Sequence, residues 1–239
     1  MIADIIPSNN SIVDSSTTNI SIYFSSPVYL STGNISIHKA SNHRIRQTVS
    51  VTSEFCNLSD DRKVVVISII NSTFNEYGEK YYMRIDDNFA NAVNFNNESL
   101  RGIEKEVWFF KSAYTAPQSE TAATGLTVFT VDASKKFSTL STTEKSKYID
   151  TLLDEFADKV PIRRERLSWE IFQPFEFGQI AISVRIDLPI NKTENTENTV
   201  PGVISNLNTM ILYKRITNFS TSVTNDLDST LGFRLLGEE

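Results

Sequence analysis

His38, His43 and Cys56 make up every histidine and cysteine of the chain, which bounds the chemistry quickly. Hydrolysis through a nucleophile requires a Ser or Cys hydrogen-bonded to a His. The two histidines fall at the end of one predicted strand and in the loop after it, and no G-x-S-x-G elbow occurs. A lone cysteine forms no internal disulfide, and with two histidines it completes neither a thiol pair nor a zinc set. Glu170 and Glu176 flank a predicted hairpin and are the carboxylates a glycosidase would use, but strand and turn acids so spaced are ordinarily solvated. Asp86 and Asp87, with Glu98 or Asp4 nearby, are the one place offering oxygens to a hard cation. "IDDNFANAVN" lacks the glycine and spacing of an EF-hand loop, so the expectation is solvated turn carboxylates, as at Asp60 and Asp61. There is no P-loop and no dinucleotide glycine pattern. The residues therefore predict no catalytic set, no cofactor and no metal, with a hydrolytic enzyme as an alternative.

The elements that would position these residues differ between the two halves. From Asn19, "NISIYF" alternates Ile20, Ile22 and Phe24 against Asn19, Ser21 and Tyr23, the period of a half-buried strand. Further strands are predicted at "GNISIHKA", "IRQTVSVTSEF", "RKVVVISI", "EKYYMRID" and "KEVWFFKS", each bounded by Ser, Asn, Asp or Gly, with no helical periodicity between them. Two packed antiparallel sheets follow, with "STGN" (31–34) as a corner turn and Val64, Val66, Ile69 and either Tyr82 and Trp108 or their alternate partners toward the core.

These segments also resemble a known family. "ISIYFSSPV" after Pro7, then "GNISI", "YYMRID" and "WFF" occur in the order seen in the bacterial Ig-like domain named after S-layer proteins, over residues 2–112. Asn91, Val93 and Asn94 stand where that family carries Asp, Gly and Asn. The resemblance implies an all-β Ig-like sandwich that spaces, displays or adheres and does no catalysis. "KSAYTAPQSETAATG" then reads as a linker at 113–123, which leaves domains at 1–112 and 124–239.

The second half is mixed. "LTVFTVD" is a predicted strand with Leu126, Val128 and Thr130 on one face. Ser141 and Glu144 form a capping box ahead of Tyr148, Ile149, Leu152, Leu153, Phe156 and Val160 at helical spacing, ending at Pro161. "RLSWEIFQPFEF" and "GQIAISVRIDLPI" are paired strands, with Ile180, Ile182, Val184 and Ile186 alternating against Ala181, Ser183, Arg185 and Asp187. Thr199 caps a helix with Val203, Leu207, Met210 and Ile211 on its stripe, and "STLGFRLL" is a last strand. The order β-α-β-β-α-β predicts an α+β ferredoxin-like plait. It is also similar to the SEA domain of cell-surface mucins and receptors. Some members of that family cleave themselves at a Gly-Ser bond between the middle strands; here Gly178 precedes Gln179, which carries no hydroxyl nucleophile.

Composition limits partners. With 23 basic and 29 acidic side chains the net charge is -6, and only Arg163, Arg164 and Arg166 cluster. Nucleic acid needs a positive footprint, so it is not an expected partner, and the arginines read as a solvated loop. No apolar run reaches the roughly 18 residues of a spanning helix, so no membrane insertion is expected within the segment. "MIADIIPSNN" has no basic n-region, and with "GFRLLGEE" it is what an ectodomain segment cut from a longer chain would show.

N-x-S/T acceptors stand at Asn9, Asn19, Asn34, Asn57, Asn71, Asn97, Asn191 and Asn218. With 20 asparagines and 51 Ser or Thr in 239 residues, chance would give about four. Asn34, Asn97 and Asn191 are expected to be accessible, and Asn19 to be shaded by the packing of its strand. The joint expectation is a non-catalytic secreted or cell-surface glycoprotein module, acting through an unidentified protein partner. An intracellular interaction module, which the low cysteine content would suit, is the other alternative.

Overall fold

The computed structural model describes residues 1–76, 78–93, 98–113, 121–189 and 198–236. The chain divides into two compact units, Met1–Tyr114 and Thr115–Glu239. Most of the predicted linker lies outside the described residues.

The first unit is built from β1 (Ile2–Ile6), β2 (Ser11–Val13), β3 (Asn19–Phe24), β4 (Val28–Leu30), β5 (Asn34–Lys39), β6 (Ile45–Ser50), β7 (Cys56–Leu58), β8 (Val64–Ser68), β9 (Lys80–Ile85), β10 (Ala90–Ala92) and β11 (Ile103–Ser112). They form a four-stranded sheet β1-β3-β8-β7, a five-stranded sheet β2-β11-β9-β5-β6 and the pair β10-β4. β2 joins β11 in parallel and the other pairs are antiparallel. Ser31–Gly33 is the short corner between β4 and β5, as "STGN" predicts. Ile20, Ile22 and Phe24 are buried as the alternation requires, and one core joins them to Ile35, Ile37, Val49, Tyr81, Met83 and Phe110.

β8 corrects one expectation. Val65 and Ile67, not Val64 and Val66, are the fully buried pair, while Ile69 is buried as expected. A run of adjacent β-branched residues has no alternation of its own, so the partner strand sets the register. Val65 lies opposite Ile22 and Ile67 opposite Ile20, and this turns both inward. Tyr82 is buried but stands outside the core formed by its neighbours Tyr81 and Met83, whereas Trp108 is half-buried against that core.

The second unit contains β12 (Ala123–Val128), α1 (Val131–Ser138), α2 (Thr142–Lys159), β13 (Leu167–Pro174), β14 (Ile180–Ile186), α3 (Val200–Leu212) and β15 (Arg234–Leu235). Its sheet runs β13-β14-β12-β15, with every neighbouring pair antiparallel. The Ser141–Glu144 capping box starts α2, and Thr199 caps α3 by accepting from the Gly202 N–H. Ile149, Leu152, Leu153, Phe156, Val203, Leu207, Met210 and Ile211 are all fully buried with Ile182, Val184 and Ile186 in one core.

Two expectations fail here. Thr130 is not a strand residue: its hydroxyl accepts from the Ala133 N–H and caps α1, a helix whose eight residues bury only Ala133, Ser134 and Phe137. So short an apolar stripe leaves no periodic signal. On β14, Ala181 and Ser183 are as buried as Ile182 between them. They face Val128, Gln173 and Leu126 on the strands either side, and these larger neighbours shade small residues in the middle of the sheet.

Candidate functional site

The two histidines come together on Tyr82. His38 leaves β5 with its ring stacked on Tyr82 at 4.9 Å, and its Nδ1 lies 3.0 Å from the His43 carbonyl oxygen. His43 meets the same phenol from the following turn: the Tyr82 hydroxyl lies 3.3 Å from its Nδ1, and the Glu106 carboxylate 3.5 Å from that nitrogen. Both His43 and Glu106 hold positive φ, 59° and 62°, and Glu106 lies where the β9–β11 register shifts between Ile103 and Trp108. Left-handed non-glycine residues facing one another across 63 positions of sequence mark a local geometry imposed by the fold. Phe109 packs edge-on against Tyr82, and the Lys80 ammonium sits 3.7 Å over the Phe109 ring.

Burial holds the His38 imidazole below the usual histidine range, with the Arg84 and His43 charges acting the same way and the bond to the His43 carbonyl opposing. The Tyr82 phenol is pushed up by burial and by Glu106, against Arg84. A protonated His43 would form an ion pair with Glu106 across that 3.5 Å. Its spacing could not be read from the sequence, because the bulge that aims Glu106 has no composition signal.

The remaining candidates are dispersed. Glu170 and Glu176 are both exposed, one within β13 and one in the turn after it. Cys56 is buried, and burial pushes its thiol up to about 11. Asp86 accepts from the Asn34 backbone at 3.0 Å and pairs with Arg84 at 3.2 Å, while Asp87 accepts from the Gly102 N–H at 2.9 Å. Asp4 belongs to the other sheet, where its carboxylate accepts from the Ile5 N–H. Among the described residues, no group of three or more His, Cys, Asp or Glu side chains is placed to hold a metal ion. Gln179 donates its amide to the Phe129 carbonyl at 2.8 Å and the Asp228 carboxylate at 2.7 Å, so it braces the turn after β13.

Of the arginine run Arg163 is exposed as expected, but Arg164 is half-buried and Arg166 buried. Arg166 is 1% exposed and donates to the Asp187 carbonyl at 2.9 Å and the Asn198 carbonyl at 2.7 Å. It thereby ties Asp187, just past the end of β14, to Asn198, just before the Thr199 cap of α3. Arg164 pairs with Asp154 at 2.6 Å and Asp150 at 3.5 Å. These spacings depend on where the end of β14 and the start of α3 fall, which side-chain type does not reveal.

The acceptor asparagines divide by environment. Asn9, Asn19, Asn57 and Asn71 are exposed. Asn19 is thus not shaded, because strand alternation points it away from buried Ile20. Asn34 is half-buried in β5 rather than free in the turn, and its amide donates to Asp86 at 3.3 Å. Asn218 is also half-buried, with its side-chain oxygen enclosed. Asn97 and Asn191 lie outside the described residues. A depression of about 690 Å³ in the second unit lies between the start of α3 and β15, with Thr121, Ser205, Asn208 and Arg234 among its polar lining. None of the catalytic candidates lines it.

No helix among the described residues is long and apolar enough to cross a membrane. No family model matches the chain, nor does any curated protein. Among solved structures it is similar to CopC from Methylosinus trichosporium OB3b, at 12% identity and a TM-score of 0.34, over 50% of this chain and 98% of that one.

Proposed function

We propose that the chain is a non-catalytic module of the cell surface or secreted space, in which an Ig-like sandwich and a ferredoxin-like unit space or join proteins by surface contact. The observation that carries the reading is the exposure of four acceptor asparagines, Asn9, Asn19, Asn57 and Asn71, all on the first unit. Support for the sandwich comes from its four- and five-stranded sheets enclosing one core. Support for the plait comes from the antiparallel order β13-β14-β12-β15, in which the first and second strands of the unit flank the third. The polar side chains with chemical potential are engaged in bracing: Arg166, Gln179 and Asp86 each hold backbone or partner groups in place.

Glycans on the four exposed asparagines would cover parts of the first unit and confine partners to its remaining surface. The Thr73 hydroxyl of the Asn71 acceptor is buried and donates to Gln47 at 2.7 Å. Modification at Asn71 is therefore expected before the unit closes. The test is intact mass of the protein made by a eukaryotic secretory host, before and after glycosidase. Loss of mass mapping to Asn9, Asn19, Asn57 or Asn71, with least occupancy at Asn34 and Asn218, is the expected result. Unmodified protein from its native cell that fractionates with cytosol refutes the placement, and turnover of a small substrate abolished by one side-chain change refutes the non-catalytic part.

A further inference from the structure

The turn joining β13 to β14, Phe175-Glu176-Phe177-Gly178, holds an aromatic ring out to solvent. Phe177 is 86% exposed, with φ 55° and ψ 26°, the left-handed region that bulky residues avoid. The base of this tip is firmly held. The Phe175 N–H donates to the Gln179 carbonyl at 2.8 Å, the Gln179 N–H to the Glu176 carbonyl at 3.1 Å, and the Gln179 amide reaches Phe129 and Asp228. An exposed, strained aromatic on a braced turn is a knob without its hole.

A matching hole lies two residues away. Phe175 lines, with Leu126, Val128, Leu231 and Leu235, an apolar cavity of about 160 Å³ that has Arg234 among its walls. Leu126 and Val128 stand outside the core that the helices share with β14. A dry cavity of about 150 Å³ with aliphatic and aromatic walls takes up benzene, so a hole of this size suits a phenyl ring. The charges also correspond: Glu176 is exposed beside the knob, and Arg234 is exposed at the hole, with its Nε donating to the Leu231 carbonyl at 3.2 Å.

We infer that the occupant is a second copy of this chain: Phe177 of one copy enters the Phe175–Leu126–Val128–Leu231 cavity of the other, with Glu176 meeting Arg234. The knob Phe177 and one wall of the hole, Phe175, belong to the same turn, so a single twofold axis carries both insertions, as a closed, isologous dimer requires. The inference rests on the reading of the chain as a module that works through protein contacts and names one such partner.

Sedimentation velocity of the full chain from about 10 μM to about 1 mM tests it, a range that reaches weak self-association. The expected result is a concentration-dependent shift from 27.0 kDa toward twice that mass. Phe177→Ser and Arg234→Glu each weaken it by roughly tenfold or more, and Glu176→Arg combined with Arg234→Glu restores it to within about threefold of wild type. Phe177 and Glu176 are exposed, so unchanged circular dichroism and melting will show that those variants fold. A monomer throughout overturns the inference and leaves the glycan test of placement standing on its own. So does a dimer unaffected by Phe177→Ser, absent charge-swap rescue, or a monomer that binds phosphatidylcholine vesicles through Phe177.

Discussion

Truncating Phe156 to Ala should destabilise the second unit by about 3 to 5 kcal/mol. The ring is fully buried on α2 and lies 5.8 Å from Phe219 at an interplanar angle of 9°. Phe219 sits in the 3-10 turns after α3, which are braced by Lys159: its ammonium donates to Glu155 at 2.9 Å, to the Thr221 carbonyl at 2.9 Å and to Thr224 at 2.7 Å. With both sides so anchored, the cavity left by the ring has little freedom to collapse, which places the cost in the upper part of that range. At about 1 to 3 kcal/mol per molar urea, the midpoint falls by about 2 M. Each unit carries one tryptophan, Trp108 and Trp169. Trp169 donates to Asp150 on α2 at 3.2 Å and packs near Phe172, so its fluorescence in a Trp108→Phe background reads the second unit alone. Phe219→Ala combined with Phe156→Ala should be less than additive, because the second truncation enlarges a cavity already present. A loss below about 1 kcal/mol for Phe156→Ala would refute the assignment of this α2 face to the core.

Three further outcomes are expected. Gly102→Ala places a methyl 2.0 Å from the Ile85 carbonyl oxygen, a backbone atom; a cost of about 2 to 3 kcal/mol in the first unit is expected, and a neutral substitution in urea titrations followed at Trp108 would contradict that close approach. His38 is held neutral by burial, so the unfolded chain binds more protons than the folded one as acid is added; stability present above about pH 6.5 is lost as pH falls toward the depressed folded value. His38→Gln should flatten this slope between about pH 7 and pH 5, with Tyr82, Arg84, His43 and Glu106 left in place, and an unchanged slope would show that His38 is not its source. Cys56, with its thiol pushed up to about 11, should react with a disulfide reagent at pH 8 at least about a hundredfold more slowly in the native protein than in urea; equal rates would place the thiol at the surface.

Much of the second unit was legible because helices signal locally. The capping box at Ser141 and Glu144 and the stripe through Leu152 and Phe156 are patterns within one turn or two, and packing against β14 had only to fill the face they define. The Thr199 cap and the residues of α3 were readable on the same ground. α1 was not, since eight residues with Phe137 as their one buried large apolar side chain carry too little periodicity.

Sequence alone determined the strands of the first unit wherever apolar and polar residues alternate, as from Ile20 to Phe24, because a pleat sends successive side chains to opposite faces. It also determined which chemistries lack their residues, since a single cysteine and two histidines limit any constellation. Tertiary structure decided the rest. Whether Val64 or Val65 turned inward depended on its pairing with Ile22 across the sheet; whether Asn34 stood free depended on Asp86, 52 residues away. The meeting of His38, His43 and Glu106 on Tyr82, and the burial of Arg166 against two carbonyls, required chain segments brought together by the fold. Local patterning fixes which residues can form an element, but long-range contacts pay no signal into the sequence near either partner, so only the assembled sheets and core select them.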